Sequence, residues 1–294
     1  MSAARPPWLF CFHHAGAGTS AFAQWQAVLG DTAEVVPILL PGRGTRVREA
    51  RITDPVELVA EIEALVGPMA DERPYLVYGH SLGGLAAYTF ARTRCAAGLR
   101  PPERVVVGAV QPPHLRSPVL RSAHLPDLEL LFLLVGFGAL PLEALHHEEL
   151  WRRRVLPALR DDLKLGEALC VTETSPAHPL DAPILAVGGS RDPIAPLSGM
   201  AEWARYAPGG FELRTVPGDH FFVRRPAIAE LLRDVVAGLP ATTSPRVERG
   251  LSHRCQIRAN STDQEGGAAV RREHTRGHTL AATRAAGPDT RGPR

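Results

Sequence analysis

Short apolar runs alternate with amphipathic stretches along the first 240 positions, and then the alternation stops. The uninterrupted runs fall at residues 8–12, 34–40, 75–78, 104–110, 183–190 and 211–216. Each is short, rich in Val, Leu, Ile or aromatic residues, and bounded by Gly, Pro or polar positions, which predicts strands. Helical spacing appears at 21–29, from Asp54 to about Val66, after Gly84, at 197–206 and at 226–239. Asp54 is suited to the N-cap of its helix, with Pro55 at the first position and Glu57 at the third. Thr19 or Ser20 is the cap candidate for the 21–29 helix. Continuous apolar strands alternating with helices predict an α/β fold: a mostly parallel central sheet with helices on both faces.

The alternation breaks after Gln111. Residues 112–171 carry no strand pattern, only helical ones at 128–135, 142–151 and 155–169. A helical insertion between two strands is expected here, serving as a lid. The expected domain therefore covers 1–240, with the lid insertion at about 112–171. Residues 241–294 hold ten Arg, five acidic residues and few large apolar ones, and are expected to form a basic, disordered tail.

Composition narrows the function classes. A chain of 294 residues with 45% hydrophobic positions can bury a substantial core, and a net charge of +2 gives no global pull toward nucleic acid. No run approaches the ~20 apolar residues of a membrane span, and the early run at residue 8 lacks the length and cleavage site of a signal sequence. None of the cysteines, Cys11, Cys95, Cys170 and Cys255, forms a Cys-x-x-Cys pair, and no His lies at metal-ligand spacing beside them. That pattern predicts reduced thiols in a cytoplasmic protein and no metal site. No phosphate-loop Lys and no Gly-x-Gly-x-x-Gly opening a helix is found, so no nucleotide cofactor is expected.

The chemistry centres on Gly79-His80-Ser81-Leu82-Gly83, which fits Gly-x-Ser-x-Gly between a predicted strand and a predicted helix. A sharp turn there would strain Ser81 and need small residues two positions either side. A serine hydroxyl needs a base, and the base needs an orienting acid. The order expected for this motif is Ser, then acid, then His. Asp192 follows the strand at 183–190 and His220 follows the strand at 211–216, both at the C-terminal edge of a parallel sheet, where ligand chemistry collects. Asp181 precedes its strand, Asp219 reads as a turn residue, and Asp161 and Asp162 fall in the helical insertion. His80 should point away from the elbow, and His146 and His147 read as a solvated helix face. Two amides are needed for an oxyanion. Leu82 supplies one, and the loop His13-His14-Ala15-Gly16-Ala17-Gly18 the other, with Ala15 first and Gly16 second.

Five segments together resemble a known family: the His13 loop, Leu40-Pro41-Gly42-Arg43-Gly44, the Ser81 elbow, Gly188-Gly189-Ser190-Arg191-Asp192-Pro193, and Gly218-Asp219-His220-Phe221-Phe222. The chain resembles the type II thioesterases, stand-alone α/β-hydrolases that accompany polyketide synthases and nonribosomal peptide synthetases. The likeness spans about 8–239, and departs at His13, where the family usually has Pro, and at Ala17, where it usually has Gly. It implies hydrolysis of acyl thioesters on the phosphopantetheine arm of an acyl or peptidyl carrier protein, to remove aberrant or stalled acyl groups. It implies Ser81 as nucleophile, His220 as base, Asp192 as orienting acid, and Ala15 and Leu82 as the oxyanion amides. An apolar acyl chamber is expected from Leu130 to Val135 and Phe137. A monomer without cofactor, membrane or nucleic-acid partner is expected. The alternatives are a medium-chain fatty acyl thioesterase, a small-molecule esterase and, in another class, an inactive hydrolase-fold binding module.

Overall fold

Six strands form where the sequence carries its uninterrupted apolar runs: β1 (Trp8–Phe12), β2 (Glu34–Ile38), β3 (Tyr75–His80), β4 (Arg104–Gly108), β5 (Ile184–Gly189) and β6 (Phe211–Val216). They pair in the order β2-β1-β3-β4-β5-β6, and every pairing is parallel. The computed structural model describes residues 5–172 and 180–239; the expected tail and Cys255 lie outside the described residues. The helices are α1 (Trp25–Leu29), α2 (Pro55–Glu72), α3 (Leu82–Ala96), α4 (Asp127–Gly136), α5 (Glu148–Arg154), α6 (Leu156–Thr172), α7 (Leu197–Ala201) and α8 (Pro226–Ala237).

Successive strand residues point to opposite faces, and the sheet feeds two cores accordingly. In β3, Tyr75 and Val77 enter one core, Leu76 and Tyr78 the other. The first core is closed by α2, α3 and α6, through residues such as Leu58, Phe90 and Leu163. The second is closed by α1 and α8, through Trp25, Leu29, Ile228 and Leu232. Burial on both faces explains why these strands read as continuous apolar runs rather than alternating ones.

Four predicted helical stretches depart from the sequence pattern: 142–151 opens as a 3-10 turn (Leu142–Leu145) before α5, 197–206 ends as one (Glu202–Tyr206) after α7, and the other two differ as follows. The Asp54 side chain accepts from the amides of Val56 (2.8 Å) and Glu57 (3.0 Å), but α2 then continues through Pro68 to Glu72 instead of stopping near Val66. An interior proline typically costs ~3 kcal/mol. The buried stripe Leu58, Ile62, Val66 and Ala70 continues across it, and its packing outweighs that cost. The expected 21–29 helix is instead a 3-10 turn, Thr19–Phe22, followed by α1. Thr19 and Ser20 lie inside that turn, and Gly18 takes the cap position without a side-chain bond. Phe22 and Trp25 both enter the second core, ring against ring at 4.9 Å, which bends the chain between them.

The described part of the segment between β4 and β5 carries no strand: two 3-10 turns precede α4, a third joins α4 to α5, and α5 meets α6 across Val155. Its last helix, α6, belongs to the first core. A Cβ on Gly166 would lie 2.6 Å from Leu120 and 3.3 Å from Leu82, so α6 approaches the start of α3 closely. Strand order reverses between β1 and β3, and in open α/β sheets ligand chemistry collects at the C-terminal ends of the strands at such a switch point.

Candidate active site

Ser81 sits at the turn between β3 and α3 with φ 54° and ψ −119°, a conformation non-glycine residues rarely adopt. Such strain costs of order 1–3 kcal/mol and persists only where the surroundings fix it. Here the Ser81 amide donates to the carbonyl of Gly108 (2.8 Å), and the Ser81 carbonyl accepts from Gly84 (2.8 Å). A Cβ on Gly79 would fall 1.9 Å from the carbonyl oxygen of Gly83, and one on Gly83 would fall 2.2 Å from that of Phe12. The first glycine lets the helix cross over β3; the second lets it cross the end of β1. The amide of Leu82 is one of the open donors at the start of α3.

Asp192 and His220 arrive from β5 and β6. Nδ1 of His220 lies 2.9 Å from Oδ2 of Asp192, and Nε2 lies 3.1 Å from Oγ of Ser81. A carboxylate accepts, so Nδ1 carries the proton and Nε2 is left to accept from the serine hydroxyl. The other oxygen of Asp192 accepts from the amides of Ile194 (2.8 Å) and Ala195 (3.0 Å). Burial opposes ionisation of Asp192, but the His220 contact and these amides outweigh it and hold the carboxyl below its ordinary value. Asp219 is a turn residue, as expected, accepting from the Phe221 amide at 2.9 Å. Asp181 precedes β5 and is exposed, and His146 and His147 are also exposed.

His80 turns away from Ser81 into the second core and is fully buried. Its Nε2 lies 2.7 Å from the carbonyl of His220 and its Nδ1 2.8 Å from the hydroxyl of Tyr78. A carbonyl can only accept, so Nε2 carries the proton and Tyr78 donates to Nδ1. His80 therefore holds the backbone of His220, a role the sequence did not reveal.

The loop after β1 is a tight turn. Ala17 donates to the His14 carbonyl (3.1 Å), and Gly16 is in the left-handed region at φ 71°. The Gly16 amide donates to Oδ2 of Asp162 at 2.7 Å, and Asp162 is gripped by both terminal nitrogens of Arg43, at 2.7 and 2.8 Å. Gly16, the second candidate for an oxyanion donor, is thus committed elsewhere. Asp162 was expected only as an insertion residue. A signal was present: it stands on the buried face of α6 with Leu159, Leu163 and Gly166, where an unpaired charge would be costly.

A cavity of about 340 Å³ lies beside this loop, lined by Ala15, Leu134, Leu140, Trp151, Leu159 and Phe221 among others. Of the residues expected to form an acyl chamber, Leu134 lines it; Leu130 and Leu131 are buried in the first core, and Phe132 is exposed. A second space, of about 20 Å³, adjoins Ser81 itself, between Val110, Leu120 and Ala195. Among the described residues, no helix is long and apolar enough to cross a membrane, and Cys11, Cys95 and Cys170 are free thiols.

The family model for the thioesterase domain matches residues 7–236. The chain belongs to the thioesterase family. This thioesterase is 34% identical to thioesterase PikA5 of Streptomyces venezuelae over 73% of its own length and 75% of that protein's. It is 34% identical to the solved structure of RedJ, the thioesterase from the prodiginine biosynthetic pathway in Streptomyces coelicolor, covering 79% of this chain and 87% of that one with a TM-score of 0.70. The type II thioesterase BorB from the borrelidin biosynthetic cluster is 28% identical, covering 79% and 93%, with a TM-score of 0.67. The thioesterase thus has the α/β-hydrolase fold and groups with the type II thioesterases of polyketide and nonribosomal peptide pathways.

Proposed function

We propose that this thioesterase releases acyl groups from the phosphopantetheine arm of acyl or peptidyl carrier proteins, with Ser81 as nucleophile, His220 as general base and Asp192 as orienting acid. The observation that carries the site is the continuous hydrogen-bonded chain Ser81–His220–Asp192 at the C-terminal edge of the sheet. His220 takes the Ser81 proton as Oγ attacks the thioester carbonyl carbon. The carbonyl π pair moves onto oxygen, and the amides of Leu82 and Ala15 receive that charge. The pair then returns, the carbon–sulfur bond breaks, and the thiol of the arm leaves with the proton from His220. Water, deprotonated by the same His220, attacks the acyl-serine; the carbon–Oγ bond then breaks, Ser81 regains its hydroxyl with the proton from His220, and the carboxylic acid leaves. Asp192 stays ionised throughout and stabilises the imidazolium. The Gly16–Asp162 bond supports Ala15 over Gly16 as the second donor.

The biological role that follows is removal of aberrant or stalled acyl groups, by a monomer acting in the cytoplasm. The free thiols support a reducing compartment. The helical insertion acts as a lid over the cavity it lines.

Turnover of one acyl group presented on a carrier protein, on coenzyme A and as a simple ester tests the substrate class. A higher kcat/KM for the carrier-bound form is expected; equal values would overturn it. A fluorophosphonate is expected to label Ser81 in the folded protein and to leave Ser81→Ala unlabelled. The variant is expected to lose hydrolysis by at least ~10³-fold.

A further inference from the structure

Asp162 is a carboxylate inside the first core, with 1% of its side chain exposed. Its partners lie in two other parts of the chain. Arg43, from the segment after β2, donates to Oδ2 at 2.8 Å and to Oδ1 at 2.7 Å. Gly16, 146 positions away, donates its amide to Oδ2 at 2.7 Å. Arg43 also donates to the carbonyl of Ala17 at 3.2 Å. The pair thus grips the turn after β1 at two consecutive residues, once by an N–H and once by a C=O.

The turn is of a kind that has two states. Its four residues are His14 to Ala17, closed by the Ala17-to-His14 bond, with Gly16 third and at φ 71°. That positive φ belongs to type II; a flip of the peptide between Ala15 and Gly16 converts type II to type I. The Gly16 N–H belongs to that peptide. A carboxylate in front of it accepts from the N–H in one state and repels the Ala15 carbonyl in the other.

We propose that Asp162, oriented by Arg43, is a positioning residue: by locking this turn in one state and anchoring Gly16 and Ala17, it holds in place the preceding peptide, whose Ala15 amide faces the oxyanion. The proposal rests on the reading of Ser81 and Ala15 given above. It makes α6, part of the insertion, a support of the reacting centre. It also gives the Arg of the Leu40–Gly44 motif a mechanical role, since Arg43 holds the carboxylate in a single orientation with Oδ2 facing Gly16.

The test uses Asp162→Asn. The amide keeps the size, but whichever way it sits, an N–H₂ meets either Arg43 or the Gly16 N–H. Two quantities are read beside Tm: kcat and KM on an acyl thioester, and Ki for a trifluoromethyl ketone. Ser81 Oγ adds to the ketone carbon, the π pair goes to oxygen and the serine proton to His220, so the adduct carries an alkoxide in the same hole. The expected result is a fall in kcat of ~10–100-fold, the scale of a weakened oxyanion donor, with KM within about two-fold and Ki raised by the same factor as kcat falls. Asp161→Asn is the control: Asp161 faces outward, paired with Arg51 and Lys164, and its replacement should change neither quantity. A folded Asp162→Asn with unchanged kcat, or with lowered kcat and unchanged Ki, overturns the proposal. Should that variant fail to fold, the paired change Arg43→Met with Asp162→Leu removes both buried charges. It is expected to lower kcat and raise Ki alike, and wild-type values in it overturn the proposal. Full turnover by Ser81→Ala would instead sink the reading of the site itself, and this proposal with it.

Discussion

Among the described residues four histidines are buried, His13, His14, His80 and His220, and of these His220 is the one bonded to Ser81. His13 is lowered to about 4 by burial and by the charge of Arg43. His14 is lowered to about 3 by burial and by the charge of Arg224. Burial takes His80 well below the ordinary value too. A group whose folded pKa is depressed stabilises the protein fully above its unfolded pKa, and that stability is lost as pH falls toward the folded value. The window for His13 and His14 therefore runs from about 6.5 down to about 4 and about 3. Asp192 works in the same sense but only within the carboxylate range. The prediction is that urea-unfolding stability falls as pH is lowered from 6.5. His14→Gln, which cannot charge, should reduce that slope by ~1.4 kcal/mol per pH unit. An unchanged slope would mean that His14 is solvated and charged in the folded protein. At this scale the candidate residues Ser81, Asp192 and His220 were legible because each lies a few positions beyond a strand the sequence makes obvious. The roles of His80 and Asp162 were not, since their partners stand 140 and 146 positions away.

Among the elements, the β3–Ser81–α3 turn has least room for change. Its fit depends on absent side chains, and the missing Cβ at Gly79 would meet backbone rather than a movable side chain. Gly79→Ala is predicted to open the elbow, lower Tm and reduce kcat by at least ~10²-fold. Gly136→Ala, near the end of α4, has nothing within 4 Å of the new Cβ. It should leave kcat unchanged and shift stability by no more than ~1 kcal/mol, toward the more stable side. Thermal melts with initial rates on both variants check the contrast. Helix ends were less legible than strand centres. The stop near Val66 follows from local propensity at Gly67 and Pro68, whereas the true end of α2 follows from the stripe it buries.

For the whole molecule, both cores are closed by residues up to α8, whose Ile228, Leu232, Val235 and Val236 complete the second core. A chain ending at Leu239 is therefore predicted to keep kcat/KM within about two-fold and Tm within a few degrees, the scale of ~1 kcal/mol. Loss of folding on truncation would show that residues beyond 239 belong to the stability of the domain. The same scale explains the site. Parallel pairing in the order β2-β1-β3-β4-β5-β6 sends the loops after β1, β3, β5 and β6 to one edge, so residues from 13 to 220 meet there.

Local patterning along the chain was enough to specify the strands, the parallel class of the sheet and the elbow, and to single out Ser81, Asp192 and His220, which the fold brings within hydrogen-bond reach of one another. The signals are short-range: apolar runs, small residues around a tight turn, and polar residues just past a strand end. Folding in three dimensions was needed to establish that Gly16 is bound by Asp162, that Arg43 turns that carboxylate toward the loop, that His80 holds His220, and that Leu134 rather than all of 130–135 lines the cavity. These depend on which faces meet when distant segments pack. A buried charge or a tautomer is set by that meeting and not by its neighbours in the chain.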